Sequence, residues 1–169
     1  MKRAAWVVTL VVVALASAGS KLSRLSDDEY SEYRALRVFM NDDEQKQWLK
    51  LKTPEERKAW LEEHGLYQKF WSHDEEVRKQ IVEGEVENGW SRDMVYMAWG
   101  PPFQKQRLTG REAERSELLV YRFEIDEDGV ATPLYDSKRT NYKAVRQHQT
   151  EVYVDDDVVT SMVEKDRWE

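Results

Sequence analysis

The chain contains no cysteine. This excludes a disulfide framework, a thiolate metal site, a cysteine nucleophile and a lipid-modified N-terminal cysteine. Proline and glycine are also sparse, at four and seven in 169 residues, and the glycines are dispersed, so no glycine-rich phosphate loop is present. Past residue 18 no apolar run approaches the ~20 residues that span a bilayer. Basic residues are outnumbered, 26 Lys and Arg against 33 Asp and Glu, for a formal charge of −7. Sequence-independent nucleic-acid binding needs a clustered basic surface, so nucleic acid is not an expected partner. What the chain has instead is charge and rings: 35% of its residues are charged and 11% aromatic, with seven Trp and eight Tyr. So many large rings demand burial, which argues for a folded chain despite the polarity.

Residues 1–18 read as a secretory signal peptide. Lys2 and Arg3 precede an apolar run from Trp6 to Leu15, and Ala16-Ser17-Ala18 offers the small residues a signal peptidase requires. The run is short for a membrane anchor, so cleavage before Gly19 is expected. Loss of Lys2 and Arg3 would take the net charge to −9. The expected location is periplasmic, with no membrane span after signal cleavage.

From Ser26 to about Glu87 the signals are helical. Ser26-Asp27-Asp28-Glu29 is a capping box, in which serine and glutamate satisfy each other's backbone amides. Tyr33, Leu36, Arg37 and Met40 continue a helical stripe behind it. Asn41 caps a second helix bearing Trp48, Leu49 and Leu51. Thr53-Pro54-Glu55-Glu56 starts a third, with proline where its missing N–H costs nothing, and Gly65 supplies its left-handed stop. Leu66, Phe70 and Trp71 follow, then a helix to about Glu87 with Val77, Ile81 and Val82 on one face. Trp48, Trp60 and Trp71 recur at similar spacing, which a shared core explains better than a repeat.

After Asn88 the pattern changes. Gly89-Trp90 is a break, Ser91 caps a short helix through Trp99, and Gly100-Pro101-Pro102 ends it. Leu118 to Ile125 alternates as a strand, closed by Asp126-Glu127-Asp128-Gly129. Asp136 to Arg139 reads as a loop and Tyr142 to Val154 as a second strand. Asp155-Asp156-Asp157 then turns the chain into a hairpin with Val158 to Met162. The expected fold is α+β: a helical N-terminal region followed by a short helix packed on a small antiparallel sheet of three or so strands. The division expected is signal peptide 1–18, helical region 19–87, α+β domain 88–164 and tail 165–169.

Signatures of chemistry are scarce. His64 adjoins a helix end, His73 heads a helix among acids, and His148 lies within a polar strand; none has zinc-ligand spacing. Asp126-Glu127-Asp128-Gly129 carries part of a calcium-loop pattern without its closing glutamate. No Gly-x-Ser-x-Gly elbow marks a hydrolase. The sequence therefore nominates no catalytic, cofactor-binding or metal-ligating residue, and a non-enzyme is expected.

One segment stands out, Gly89-Trp90-Ser91-Arg92-Asp93-Met94-Val95-Tyr96-Met97-Ala98-Trp99-Gly100-Pro101-Pro102. It reads as a capped two-turn helix whose Met94, Met97 and Ala98 form one face, broadened by Val95 and Trp99. Gly89, the helix, the Gly100-Pro101-Pro102 turn, the strand Leu118 to Ile125 and the hairpin Thr150 to Val163 together resemble the BamE (SmpA/OmlA) family over residues 88–164. Those proteins pack two helices on a three-stranded antiparallel sheet and assist insertion of β-barrel proteins into the outer membrane. Family members are lipoproteins; without a cysteine, this chain is expected not to be one. Gly89-Trp90-Ser91-Arg92-Asp93 also resembles the motif of the GWxTD-domain proteins, with Arg92 in place of Thr, and those too are exported.

The function that follows is an exported, non-catalytic binding or accessory module, with envelope or outer-membrane assembly proteins as partners. Aromatics and arginine are frequent binding anchors, which nominates Trp90, Arg92, Trp99 and Phe103 as contacts. Two other readings stay open: a periplasmic enzyme using carboxylates near His73 or His148, and a structural helical spacer.

Overall fold

The computed structural model describes residues 19–135 and 143–165. The expected signal peptide and the Asp136 to Arg139 loop lie outside them, as do the last four residues of the expected tail. The fold is α+β. Helical segments come first: α1 Gly19–Leu22, α2 Asp27–Leu36 with a 3-10 turn at Arg37–Phe39, α3 Asp42–Trp48, α4 Pro54–Glu63, α5 Tyr67–Trp71, α6 Glu75–Glu83 and α7 Arg92–Trp99. An antiparallel sheet follows, built from β1 Gln104–Leu108, β2 Ser116–Asp126, β3 Ala131–Leu134, β4 Ala144–Asp155 and β5 Val158–Lys165.

The helix starts form for local reasons. Ser26, Asn41 and Thr53 each accept the amide of the residue three positions on, and Glu29, Glu44 and Glu56 reach back to the cap amides. Each such cap contributes about 1 kcal/mol. Gly65 follows α4 with a left-handed φ of 66°. The helix expected to reach Glu87 instead stops at Glu83. Gly84 turns left-handed at φ 78°, and the Glu85 amide folds back onto the Gln80 carbonyl at 3.0 Å. Glycine reaches this conformation without the steric cost of a Cβ.

The sheet has five strands where the sequence shows three. β2 is central: β4 pairs along its whole length on one side, β5 lies beyond β4, and the other side is shared. There β1 pairs Ser116 to Val120 and β3 pairs Arg122 to Ile125. The two extra strands are short and sit on an edge. β1 is Gln-Lys-Gln-Arg-Leu with hardly a buried residue, and β3 contains Pro133, which an edge tolerates and a central strand does not.

β2 is buried along most of its length. Leu119, Tyr121, Phe123 and Ile125 are buried, as are Val152 and Val154 on β4 and Val159 on β5. They join one hydrophobic cluster with Tyr33, Leu36, Trp48, Leu61, Phe70 and Ile81 of the N-terminal helices and with Met94, Val95, Met97 and Ala98 of α7. The helices and the sheet therefore share a core. Burying each of these large side chains stabilises the fold by about 1.5–3 kcal/mol.

The segment before α7 is stitched to the last hairpin. Gly89 N–H donates to the Val159 carbonyl at 2.8 Å, Val159 N–H returns a bond to Trp90 at 2.8 Å, and Arg92 N–H reaches the Asp157 carbonyl at 2.8 Å. The β4–β5 turn uses Asp156 and Asp157 at φ 48° and 66°, the left-handed pair that a two-residue hairpin requires. α7 is thereby tied at its start to the β4–β5 hairpin, and its last residue, Trp99, packs on Tyr121 and Phe123 of β2.

Candidate functional site

A groove of about 340 Å³ opens between the C-terminal part of α2 and its 3-10 turn, the end of α7, and β3. The size is within the range of small-ligand sites. One wall is apolar, formed by Met97, Ala98 and Trp99 of α7 with Pro101 and Pro133; Val38 and Met40 add to it from the other side. Its charge comes from Arg34 and Arg37, one helical turn apart, and Tyr135 closes the rim.

Each part is held in place. Arg37 caps α2, its N–H bonded to the Tyr33 carbonyl. The turn it opens is fixed by Gln45, whose amide donates to the carbonyls of Arg37 at 3.2 Å and Met40 at 3.1 Å. Gln45 in turn accepts from the Tyr33 hydroxyl at 3.2 Å. Across the groove, Trp99 packs edge-on against Tyr121 and Phe123, with ring centroids 5.0 and 5.4 Å away. Its indole N–H donates to the Gly84 carbonyl at 2.8 Å, an acceptor that the early end of α6 sets free. The Tyr121 hydroxyl donates to the Gly100 carbonyl at 3.2 Å.

The electrostatics are one-sided, since the lining contains two guanidinium groups and no carboxylate. Burial pushes Arg34 below its ordinary pKa, and the neighbouring Arg37 adds repulsion. Burial of its hydroxyl end raises Tyr135, against the opposing pull of Arg37 and Arg34. The phenol therefore remains a neutral hydroxyl on the same groove as the two cations. Among the described residues neither arginine pairs with a carboxylate. Other arginines differ: Arg57 binds Glu29 at 2.6 Å, Arg111 binds Asp155 at 2.6 Å, and Arg92 binds Glu117 and Asp157 at 3.0 Å each.

The four residues nominated from sequence do not converge. Trp90 is 7% exposed and belongs to the core, so its ring is not available as an anchor. Arg92 is part of an internal clasp. It binds Glu117, which also takes Arg115 and Lys105 at 3.0 Å each. Phe103 lies under the Arg122 guanidinium, 4.1 Å from its ring centre, away from the groove. Trp99 alone of the four lines the groove. Arg34 and Tyr135 were not found by sequence reading, and Arg37 was read only as part of a helical stripe with Tyr33, Leu36 and Met40. A charge within that stripe was the available signal.

A second cavity, about 420 Å³, lies between α2, α5 and α6, with Phe70 and Trp71 beside Asp28, Glu75, Glu83, Arg78 and Lys79. Its charges offset one another, and Arg78 is engaged by the His73 carbonyl and the Trp71 ring. No histidine lines either cavity. His64 stacks on Trp60 at 3.7 Å with Nδ1 2.7 Å from the Trp60 carbonyl, and His148 Nε2 lies 3.2 Å from the Thr150 hydroxyl. Among the described residues no group of three potential ligands could hold a metal ion, and no helix is long and apolar enough to cross a membrane.

No family model, curated protein or solved structure matches the chain.

Proposed function

We propose that this chain is an exported, non-catalytic binding module that engages its partner at the groove between α2, α7 and β3. The observation that carries this reading is the pair Arg34 and Arg37, which line the groove without a carboxylate among the described residues. Partly buried cations without a counter-charge cost stability. A protein tolerates that cost where an incoming group supplies the opposite charge.

Envelope or outer-membrane protein assembly is the proposed setting. It rests on the resemblance of residues 88–164 to the BamE family: the order of glycine, α7, Gly-Pro-Pro turn, long strand and closing hairpin. Export rests on the leader pattern of residues 1–18.

The test is capture from the native envelope. The chain is expressed with a C-terminal tag beside an R34Q/R37Q variant, and envelopes are cross-linked and gently solubilised. The expected result is a shared partner, recovered with the wild type and lost from a folded R34Q/R37Q protein. Recovery of that partner undiminished by the double change would remove the groove from the reading. A chain retained in the cytoplasm with residues 1–18 intact would remove export.

A further inference from the structure

We propose that the groove is a site for an organic carboxylate: an anion held by Arg34, Arg37 and Tyr135, with its apolar body against Met97, Trp99 and Pro101. The inference rests on the groove being the binding site, and it names the ligand chemistry.

Three features select this class. First, Arg34 and Arg37 are one turn apart on the same groove, and the Arg37 charge adds repulsion to the burial that already lowers Arg34. An oxyanion between them replaces that repulsion with two charge-assisted hydrogen-bonding partners, and a planar guanidinium matches a carboxylate in bidentate fashion. Second, the Tyr135 hydroxyl remains protonated beside them and can donate to the same anion. Third, the opposite wall is hydrocarbon and indole. A bare inorganic anion leaves that wall wet, whereas a carboxylate on an aliphatic or aromatic body covers it and gains from its burial. The volume of about 340 Å³ admits a group of small-molecule or single-residue size.

A carboxylate of this kind is found on a free acid or at the end of a peptide chain, and the two sources are separable by probe. Calorimetric titration of the full chain with 4-methylpentanoate and with N-acetylleucine covers both, with 4-methylpentanamide as the neutral counterpart and inorganic phosphate as the bare oxyanion. We expect at least one of the two acids to bind about tenfold or more tighter than the amide and phosphate, with the stronger acid identifying the source. R37Q should weaken that acid by about tenfold or more, and R34Q likewise. R78Q, in the second cavity, should leave it unchanged. Should an arginine variant fail to fold, P101E serves in its place, since Pro101 is exposed on the apolar wall and a carboxylate there competes for the same cations.

Equal binding of acid and amide, or no binding by the wild type, overturns the proposal. Phosphate binding as tightly as the acids overturns its organic part. A carboxylate that binds undiminished in R34Q and R37Q places the site elsewhere. Failure here with envelope capture still dependent on the arginines leaves the binding-module reading intact; carboxylate binding without capture does the reverse.

Discussion

Tyr135 sits directly on Gly100: a side-chain carbon built at the glycine would lie 2.9 Å from the tyrosine hydroxyl. Gly100 also adopts φ 77° and ψ −159°, a region essentially restricted to glycine. Two constraints thus meet at one residue. The backbone must turn sharply out of α7, and β3 must approach closely enough to close the groove.

Gly100→Ala should therefore destabilise the protein by about 1–3 kcal/mol from backbone strain, with a further loss from the clash. A double-mutant cycle with Tyr135→Ala separates the two contributions. The cost of G100A should be smaller in the Y135A background, by the part due to the clash, while the backbone part persists. Thermal unfolding of the four proteins reads this directly; equal costs in both backgrounds would contradict the close approach.

Glu117 gives a pH dependence with a definite sign. It is buried, which alone would raise its pKa, but Lys105, Arg115 and Arg92 together bring it down to about 2 from 4.5. A depressed folded-state pKa means the contribution is fully present above pH 4.5 and is lost as pH falls towards 2, because the unfolded chain takes up the proton first. Glu117→Gln should flatten the stability profile in that window. At neutral pH it should cost about 2–4 kcal/mol, since it leaves Arg92 facing a neutral group. Denaturant titrations between pH 2 and 7 check both.

Glu32 has the opposite sign. It is buried in α2 and accepts the Trp71 indole N–H at 2.5 Å. Burial is the main cause of its raised pKa, with the Glu29 charge adding to it. Its ionised form is therefore penalised in the fold, and stability from this group falls as pH rises past 4.5 through the raised value. Glu32→Gln, which retains the acceptor for Trp71, should raise the melting temperature at pH 7 and lose that advantage at lower pH. A lower melting temperature at pH 7 would show that the charge is favourable.

Trp48 tests whether the helices and sheet form one unit. It is fully buried on α3 and stacks on Tyr33 with centroids 5.1 Å apart. Trp48→Ala should cost about 3–5 kcal/mol. Because the cluster runs on to α7 and β2, far-UV and near-UV signals should lose structure together in one transition. Separate transitions would instead show that the helical region and the sheet unfold independently.

The helix starts were legible because they are local. Ser26 with Glu29, Asn41 with Glu44, and Thr53 with Glu56 complete their hydrogen bonds within four residues, and the sequence places both partners. The same holds for the Gly65 stop, for the Ser91 cap, and for the alternation of Leu118 to Ile125 that fixes β2. These features alone determine an α+β chain with helices first and an antiparallel hairpin last.

The tertiary structure decided what depends on distant partners. β1 and β3 have little pattern of their own; each is a strand because β2 offers it half an edge. Gly84 ends α6 early, at a position where Trp99 uses the carbonyl that is freed. The groove needs Arg34 and Arg37 from the first long helix, Trp99 from the last and Tyr135 from beyond β3. No spacing along the chain encodes that meeting, because the shared core, rather than any local hydrogen bond, brings those elements together. Burial of the core likewise decided the roles of the aromatic segment, taking Trp90 into the interior, clasping Arg92 to Glu117, and leaving Trp99 to line the groove with the two arginines.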